Sequence, residues 1–470
     1  MNLKARCNTM RFPFRRMLAL LVCLCLLAPG PARAEEDVTG VRFSLQAQLE
    51  PSAFSAASNT LKTLSGLSEL LDAITLEGTL DRSFTGSFDL NAVLTLYGLP
   101  ETRTGLRVFG TDSHWCVQSS LLGDETLMIN LLALLEFSIK AYSHLGIPLQ
   151  RAALLATPYV HTSAFEALAS AWNQVIGAKT GSRTISRARV LSLAKQMAEI
   201  AESDRAFRYW VQAVALESGY DEAIMDLMQA LPEWAGEVIG SKGLVITVKG
   251  STETWRTGNT TLFTRTVENG LDVWSLTLPP LPGGYCLSAS GQSRHASQSF
   301  SLSITEENGG TVLSAALQAA SLPETLPVSE PFSVDISLTG EAAGDGTHLV
   351  LEGDGAQGQV TVSLRQFDAE LPMVTVSGQL LPYEPASVPS YTAADMTGVN
   401  LLSINDTTLA ELMQNILEPL VRGGLPLLVH APATGVQSLM DLLSDSGVLS
   451  LLTEGNADGS EDGGIVVIEE

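Results

Sequence analysis

Basic side chains, cysteines and long apolar runs are all scarce in this sequence. Only 27 lysines and arginines stand against 51 aspartates and glutamates. A surface with that imbalance repels nucleic acid and anionic lipid headgroups, so a nucleic-acid partner is not expected. The few apolar runs are short, and none after the N-terminal segment has the length that a membrane-spanning helix requires.

Recognisable catalytic patterns are also missing. The six histidines are scattered, and none has the spacing of a zinc site. No G-x-S-x-G motif supplies a serine nucleophile. The tryptophans are spread along the chain, and no carboxylate pair is marked as a glycosidase would require. The sequence therefore predicts no catalytic residue, no metal ligand and no cofactor.

The first 34 residues have the three parts of a secretory signal peptide. Basic residues from Lys4 to Arg16 precede the apolar run Met17 to Leu27, and Ala32-Arg33-Ala34 offers a cleavage motif. We expect cleavage before Glu35 and an extracytoplasmic location, secreted or in a periplasm or on a cell surface, with a bacterial source favoured. The chain that remains has 21 basic and 51 acidic residues, a net charge of −30.

One stretch has the opposite charge bias, and the sequence leaves three explanations open. The patch could bind an anionic partner, it could dock against the acidic remainder of the same chain, or it could be a solvated helix face. Its basic residues are Lys179, Arg183, Arg187, Arg189, Lys195, Arg205 and Arg208.

Two cysteines, Cys116 and Cys286, remain after the predicted cleavage. An even pair in an oxidising compartment suggests a disulfide, which would tie the early strands to the late ones. Two buried free thiols are the alternative, and the sequence does not decide between them.

Period-two patterning predicts strands in two separate regions. Phe43, Leu45, Ala47 and Leu49 alternate with polar neighbours, and so do Val360, Val362 and Leu364. Roughly ten late strands follow one another without intervening helices, which indicates an antiparallel meander.

Helical periodicity appears in three places. Leu61, Leu64, Leu67, Leu70 and Leu71 share one helix face, a central region has the same period, and the run Leu127 to Leu135 is predicted as a buried helix. A C-terminal helix is indicated by a capping box at Thr408 and Glu411. Its apolar stripe consists of Leu409, Leu412, Met413, Ile416, Leu417 and Leu420. This stripe is either a lid or plug over a ligand, or an ordinary core-packing face.

These patterns divide the chain into six segments. They are a signal peptide (1–34), a β-rich region with one helix (35–123), a helical region (124–240), an antiparallel β region (241–380), a Pro-rich linker with C-terminal helices including one at Val436 to Leu443 (381–453), and an acidic disordered tail (454–470).

The predicted fold class is α+β, a large antiparallel sheet built from both β-rich regions, with a central helical insertion and C-terminal helices. This arrangement resembles periplasmic carriers of lipids or lipoproteins, in which a curved sheet holds helices over an apolar concavity. The resemblance concerns architecture and no sequence motif. It implies an exported, non-catalytic protein that binds an apolar small molecule or another exported protein.

Two other function classes remain open at this stage. One is an extracytoplasmic glycan or peptidoglycan hydrolase whose acidic cleft forms only in three dimensions. The other is a structural or adhesion protein of the cell surface, with the basic patch as its interaction site.

Overall fold

The computed structural model describes residues 39–445, except 55–57, 84–85, 146–148, 178–180, 217–220, 295–296, 321–330, 342–345, 355–356, 367–368, 386, 388, 393 and 404–405. The predicted signal peptide, the acidic tail and Lys179 lie outside the described residues.

Nineteen strands form one sheet that contains both β-rich regions. The first region supplies β1 (Thr39–Leu49), β2 (Ile74–Arg82), β3 (Phe88–Leu96), β4 (Thr104–Gly110), β5 (His114–Ser119) and β6 (Thr126–Asn130). The second begins with β7 (Arg183–Ile185), β8 (Leu244–Lys249), β9 (Thr252–Thr257), β10 (Thr260–Glu268), β11 (Leu271–Thr277), β12 (Tyr285–Arg294) and β13 (Ser297–Glu306). It continues with β14 (Thr311–Ala320), β15 (Phe332–Thr339), β16 (Thr347–Asp354), β17 (Gln359–Arg365), β18 (Val374–Tyr383) and β19 (Val399–Asn400).

The two regions join where the last long strand returns to the first. β1 pairs with β18 on one side, with Leu49 opposite Val374, and with β2 on the other. Among the described strands, the spatial order is therefore β7 through β18, then β1 through β6, then β19, and only the β19–β6 pair is parallel. The predicted α+β class, with an antiparallel sheet made from both regions, is confirmed.

In the described residues, helices lie between and after the strands. They are α1 (Ser58–Ala73), α2 (Leu131–Leu145), α3 (Leu149–Val160), α4 (Glu166–Trp172), α5 (Arg187–Ser203), α6 (Arg205–Ala215), α7 (Asp221–Val238), α8 (Asp406–His430) and α9 (Ala433–Asp445). Among the helices of the described ranges, none combines the length and the apolar character needed to cross a bilayer.

The apolar run Leu127 to Leu135 is a strand followed by a helix, so its prediction as one buried helix is wrong. β6 ends at Asn130, and α2 begins at Leu131. The Asn130 Oδ1 atom accepts a hydrogen bond from the backbone N–H of Ala133 at 2.9 Å. An asparagine in that position caps a helix N-terminus, so the residue that interrupts the run also divides it into two elements.

The helical insertion packs against both ends of the sheet. Trp115 and Ile129, on β5 and β6, contact the cluster around Leu131 and Leu135 of α2. At the opposite end, Ile185 and Ile246 of β7 and β8 pack with Leu193 of α5. The insertion thus bridges the first β-rich region and the start of the second.

This bridging requires the sheet to curve. Nineteen strands spaced about 4.8 Å apart span about 85 Å, whereas the path across α2, α6 and α5 is only about 30 Å at helix spacings of 8–10 Å. Because both ends of the sheet reach the same helical group, the sheet bends around it. Glycines on the helix-covered side let neighbouring side chains lie close to the strand backbone. At Gly78, for example, a Cβ atom would lie 2.8 Å from the Phe43 ring.

Candidate functional site: the inner face of the sheet

The side of the sheet that faces the helices is mostly apolar, and we call it the inner face. Its charged residues on β9 to β11 are Glu253, Arg265 and Asp272, and Arg265 pairs with Asp272 at 2.6 Å. In the first region, Leu76 pairs with Leu94, and Leu90 pairs with Val108. The intervening residues point to the outer face and are mostly polar, for example Glu77 and Asn91. Alternation of side chains along each strand produces this division.

The centre of the inner face is covered by α1. Leu64 is 1% exposed and packs in one cluster with Val362, Met373 and Val374 of the central strands and their connections. Fully burying a leucine contributes about 1.5–3 kcal/mol. In turn, α9 packs on α1 through two close glycines, since a Cβ on Gly435 would lie 2.8 Å from the Leu70 Cβ atom. The predicted α1 stripe is thus a core face.

Two strips of the inner face are left only half-buried, one on each side of α1. The first strip crosses β2 to β6 and consists of Leu76, Leu80, Leu90, Leu94, Leu106, Val108, Val117 and Leu127. The second strip crosses β11 to β13 and consists of Trp274, Leu276, Leu287, Phe300, Leu302 and Ile304, of which Phe300 is exposed and the other five are half-buried. The helices cover the centre and the ends of the face more completely than these strips.

A row of aromatic rings runs through the second strip. The ring centroids of Trp255 and Phe263 are 4.8 Å apart, those of Phe263 and Trp274 are 6.3 Å apart, and those of Trp274 and Phe300 are 5.9 Å apart. Gly291 separates the last two, and a Cβ there would lie 2.7 Å from the Trp274 indole. The row brings together aromatic residues from four strands, which sequence alone could not align because the strand register was unknown.

The helix α8 lies at one end of the strands of the curved sheet, and we call it the rim helix. Its Asn415 Nδ2 atom donates to Glu125 Oε1 at 2.8 Å, and His430 Nε2 lies 3.6 Å from Glu101 Oε1. These contacts place the rim helix across the β5–β6 and β3–β4 connections. Of its predicted stripe, Leu412 is buried and Ile416 is half-buried. The other four members, Leu409, Met413, Leu417 and Leu420, are exposed.

The rim helix begins at Asp406, before the predicted capping box, and extends to His430. Its second half, which the prediction did not include, adds the exposed residues Val421, Leu425, Leu428 and Val429. A core-packing role for this stripe does not match the exposure of most of its members. Sequence signals for the extension were present, because the apolar residues continue past Pro419 to Val429.

The segment before the rim helix, predicted as a linker, packs on the outer face of β3 to β6. The ring centroids of Tyr391 and Phe109 are 5.1 Å apart, and Met396 packs beside the fully buried Cys116. The Tyr391 hydroxyl donates to Asp89 Oδ2 at 2.6 Å and accepts from Arg107 at 2.9 Å. We call the described residues between 384 and 398 the strap.

This network changes the ionisation of its members. Burial, followed by the hydrogen bond to Asp89, raises the pKa of Tyr391 to about 12. Burial also raises the pKa of the Asp89 carboxyl, but the hydrogen bonds from Arg107 and Tyr391 outweigh this effect, so the pKa of Asp89 is lowered. Arg107 also lines an outer cavity of about 520 Å³, together with Glu77, Asn91 and Gln118.

Of the two alternatives for the cysteines, the disulfide is not formed: both thiols are free, with Cys116 buried and Cys286 half-buried. Cys116 lies on β5 and Cys286 on β12, and ten strands separate β5 from β12 in the sheet order. A disulfide requires Cα atoms within about 7 Å, whereas eleven strand spacings amount to about 50 Å along the sheet. Burial raises the pKa of the Cys116 thiol, which keeps it protonated.

Three members of the predicted basic patch bind their own chain. Arg183 donates to the carbonyl of Ile176 at 2.6 Å. Arg187 donates to the carbonyls of Gly236 and Ile239 at the C-terminal end of α7, where a positive charge is favourable. Arg205 pairs with Glu136 at 2.5 Å.

The remaining described members of the patch point away from the core. Arg189 and Arg208 are exposed, and Lys195 lies 3.6 Å from Glu199 on the same helix. Of the three arginines that bind their own chain, Arg205 contacts an acidic side chain, whereas Arg183 and Arg187 bind backbone carbonyls. A partner for the other three stays a prediction.

A serine and a histidine are in contact at the start of β5, but their geometry is not that of a catalytic pair. Ser113 Oγ lies 2.9 Å from His114 Nδ1, and Asn130 Nδ2 lies 2.9 Å from His114 Nε2. The amide nitrogen can only donate, so Nε2 accepts and the ring proton is on Nδ1, facing Ser113. In this tautomer His114 donates to the serine and does not remove its proton. Burial lowers the pKa of His114, which favours the neutral ring.

Across the described ranges, no group of three or more histidines, cysteines and carboxylates is arranged to hold a metal ion. Comparison with protein-family models, with curated proteins and with solved structures found no match to this chain. The inner face and the rim helix are therefore the features of the molecule that bear on its function.

Proposed function

We propose that this protein is exported and binds an apolar, chain-like ligand on the inner face of its sheet. The observation that carries the proposal is the pair of half-buried apolar strips beside α1. A ligand there would complete the burial that the helices leave unfinished. A curved sheet that holds helices over an apolar face is also what the resemblance to periplasmic lipid or lipoprotein carriers implied.

The chemistry of the strips favours an acyl chain over a polar ligand. The first strip consists only of leucine and valine side chains, and it crosses five strands, or about 20 Å. Each methylene group transferred from water to such a surface contributes about 0.8 kcal/mol. A linear apolar molecule lying across the strands would gain this contribution along its whole length.

The predicted signal peptide supports the same function from a different direction. An apolar chain has low solubility in an aqueous extracytoplasmic compartment, so its movement there requires a protein that shields it. The net charge of −30 after cleavage keeps such a carrier soluble and limits its attraction to anionic membrane surfaces.

The proposal can be tested with oleate and with a brominated fatty acid, which quenches nearby tryptophan. Trp115 and Trp274 both lie on the inner face, so a bound brominated chain should quench part of the fluorescence. An inner-face variant, Phe300→Ser with Leu106→Ser, removes one contact from each strip. We expect its affinity for oleate to fall at least roughly tenfold, since 1.4 kcal/mol corresponds to that factor.

The matched control carries Val273→Ser and Val93→Ser. Val273 is 41% exposed on the outer face and Phe300 is 38% exposed on the inner face, while Val93 and Leu106 are both half-buried. Equal loss of oleate binding in the two variants, or no binding by the wild-type protein, would contradict the inner-face site.

A further inference from the structure

The most exposed apolar side chains of this protein are concentrated at one end of the sheet. In the described residues, seven large apolar or aromatic side chains expose between 52% and 69% of their surface. All seven lie on the rim helix or on the neighbouring connections at the same end. They are Tyr97, Leu371, Leu417, Val421, Leu425, Leu428 and Val429.

The second half of the rim helix is apolar around most of its circumference. From Pro419 to Val429, Arg422 is the only charged residue, and successive exposed side chains at Val421, Leu425 and Val429 continue the stripe one turn at a time. A helix that is apolar nearly all round is normally buried in protein or in lipid. Here the sheet connections contact only one side of it, through Leu121 beside Gly423 and through Gly123 beside Pro419.

We infer that the rim helix inserts into the surface of a neutral lipid bilayer, through which the ligand reaches the inner face. This inference rests on the proposed function. Fluid hydrocarbon can surround an exposed helix over more than half of its circumference, whereas a rigid second copy of the protein would cover one side. Interfacial helices bury their apolar side in this way without spanning the membrane.

Charge determines which bilayer is suitable. Six carboxylates lie on the rim helix and the connections that it crosses, against two arginines. The carboxylates are Glu101, Asp124, Glu125, Asp406, Glu411 and Glu418, and the arginines are Arg103 and Arg422. Anionic headgroups would be repelled by this rim. Zwitterionic headgroups would not, so the bilayer that fits is a phosphatidylcholine or phosphatidylethanolamine surface.

The geometry also connects this surface to the first strip. The rim helix crosses the connections that follow β3 and β5, and the inner-face residues Leu94 and Val117 lie near the ends of those strands. A chain leaving the bilayer beside the rim helix would therefore meet the first strip directly.

Flotation with phosphatidylcholine vesicles, using the full exported protein, tests the inference. Wild-type protein should float with these vesicles, and mixing in phosphatidylglycerol should reduce the bound fraction. A rim variant replaces four exposed residues with glutamine, which preserves helix propensity. It carries Leu417→Gln, Leu425→Gln, Leu428→Gln and Val429→Gln, and its partitioning should fall at least tenfold.

The control replaces apolar residues of the helical insertion that are 37–39% exposed. It carries Phe137→Gln, Val214→Gln and Ile224→Gln, and it should float as the wild type does. Failure of the wild type to float, equal loss in both variants, or vesicle-independent self-association that the rim variant abolishes would overturn the inference.

Oleate added as monomers separates this inference from the proposed function. If the protein binds monomeric oleate but no vesicles, the inner-face site stands and the membrane role of the rim fails. If it binds vesicles but no oleate, the rim surface stands and the carrier function fails. The rim variant should retain its affinity for monomeric oleate.

Discussion

Two amphipathic helices of this protein have similar sequence patterns and opposite environments. In α1, Leu64 is almost fully buried, and the stripe forms the core of the sheet's centre. In the rim helix, Leu412 is buried, while Leu409, Met413, Leu417 and Leu420 are exposed. Periodicity therefore predicts that a helix forms, but the partner of its apolar face depends on where the chain places it.

The way each helix is attached differs too. Apolar side chains of five or more strands surround α1, and α9 covers it from the other side. The rim helix relies on polar contacts at Asn415 and His430 and on small residues near its centre. Such attachment leaves the apolar surface of the rim helix available for another partner.

The largest expected contrast comes from truncating one leucine on each helix. Leu64→Ala should cost about 2–5 kcal/mol of unfolding free energy, because it leaves a cavity in a packed core. Leu417→Ala should change the same quantity by no more than about 0.5 kcal/mol, as exposed substitutions usually do. Urea unfolding with unchanged m values measures both. Similar losses would show that the rim helix is buried in solution.

Glycine-to-alanine substitutions in the two helices should change the free energy of unfolding in opposite directions. A Cβ on Gly66 of α1 would lie 2.5 Å from the Thr434 carbonyl oxygen, whereas nothing lies within 4 Å of the corresponding atom at Gly424. Gly66→Ala should therefore destabilise the fold by about 1–3 kcal/mol through overpacking. Gly424→Ala should stabilise it by up to about 1 kcal/mol through helix propensity. Thermal or urea unfolding would detect this, and equal signs would contradict the assigned helix contacts.

The strap that leads into the rim helix provides a pH-dependent test. Tyr391→Phe should cost about 1 kcal/mol at neutral pH, the net contribution of a typical hydrogen bond. The pKa of Tyr391 is raised to about 12 in the folded protein, against about 10 when unfolded. Its contribution is fully present below about pH 10 and is lost as the pH rises to about 12. The free energy of unfolding, measured across that pH interval, should fall in the wild type and fall less in the variant.

The smallest effect is expected at the polar attachment of the rim helix. Glu101 is about half exposed and lies 3.6 Å from His430. Exposed pairs of this kind contribute about 0–1 kcal/mol. Glu101→Gln should therefore leave the urea midpoint nearly unchanged, with Asn415→Ala as a second substitution at the other attachment. A large loss would mean that this pair fixes the rim helix in place.

Local sequence patterns predicted most of the secondary structure. Alternation from Phe43 to Leu49 predicted β1, and alternation from Val360 to Leu364 predicted β17, because one face of each strand is buried. The α1 leucines predicted both a helix and its buried side. Asn130 shows where a local pattern fails, since an apolar run contains no information about a change from strand to helix except its capping residue.

The pairing of strands that are distant in the chain could not be predicted from the sequence. Leu49 and Val374 are opposite each other, although more than 300 residues separate them. That pairing joins the two β-rich regions and creates the inner face. The Tyr391–Asp89 bond and the aromatic row through Trp274 depend on the same unknown register. The candidate site could therefore be anticipated as an apolar concavity, but not located on particular strands.

The most direct test of the inner-face site is native mass spectrometry of the protein purified from its own compartment without detergent. The account predicts a reproducible mass adduct that can be extracted into organic solvent and that is reduced in the variant carrying Phe300→Ser and Leu106→Ser. A bare mass, from protein that also fails to take up oleate, would contradict it.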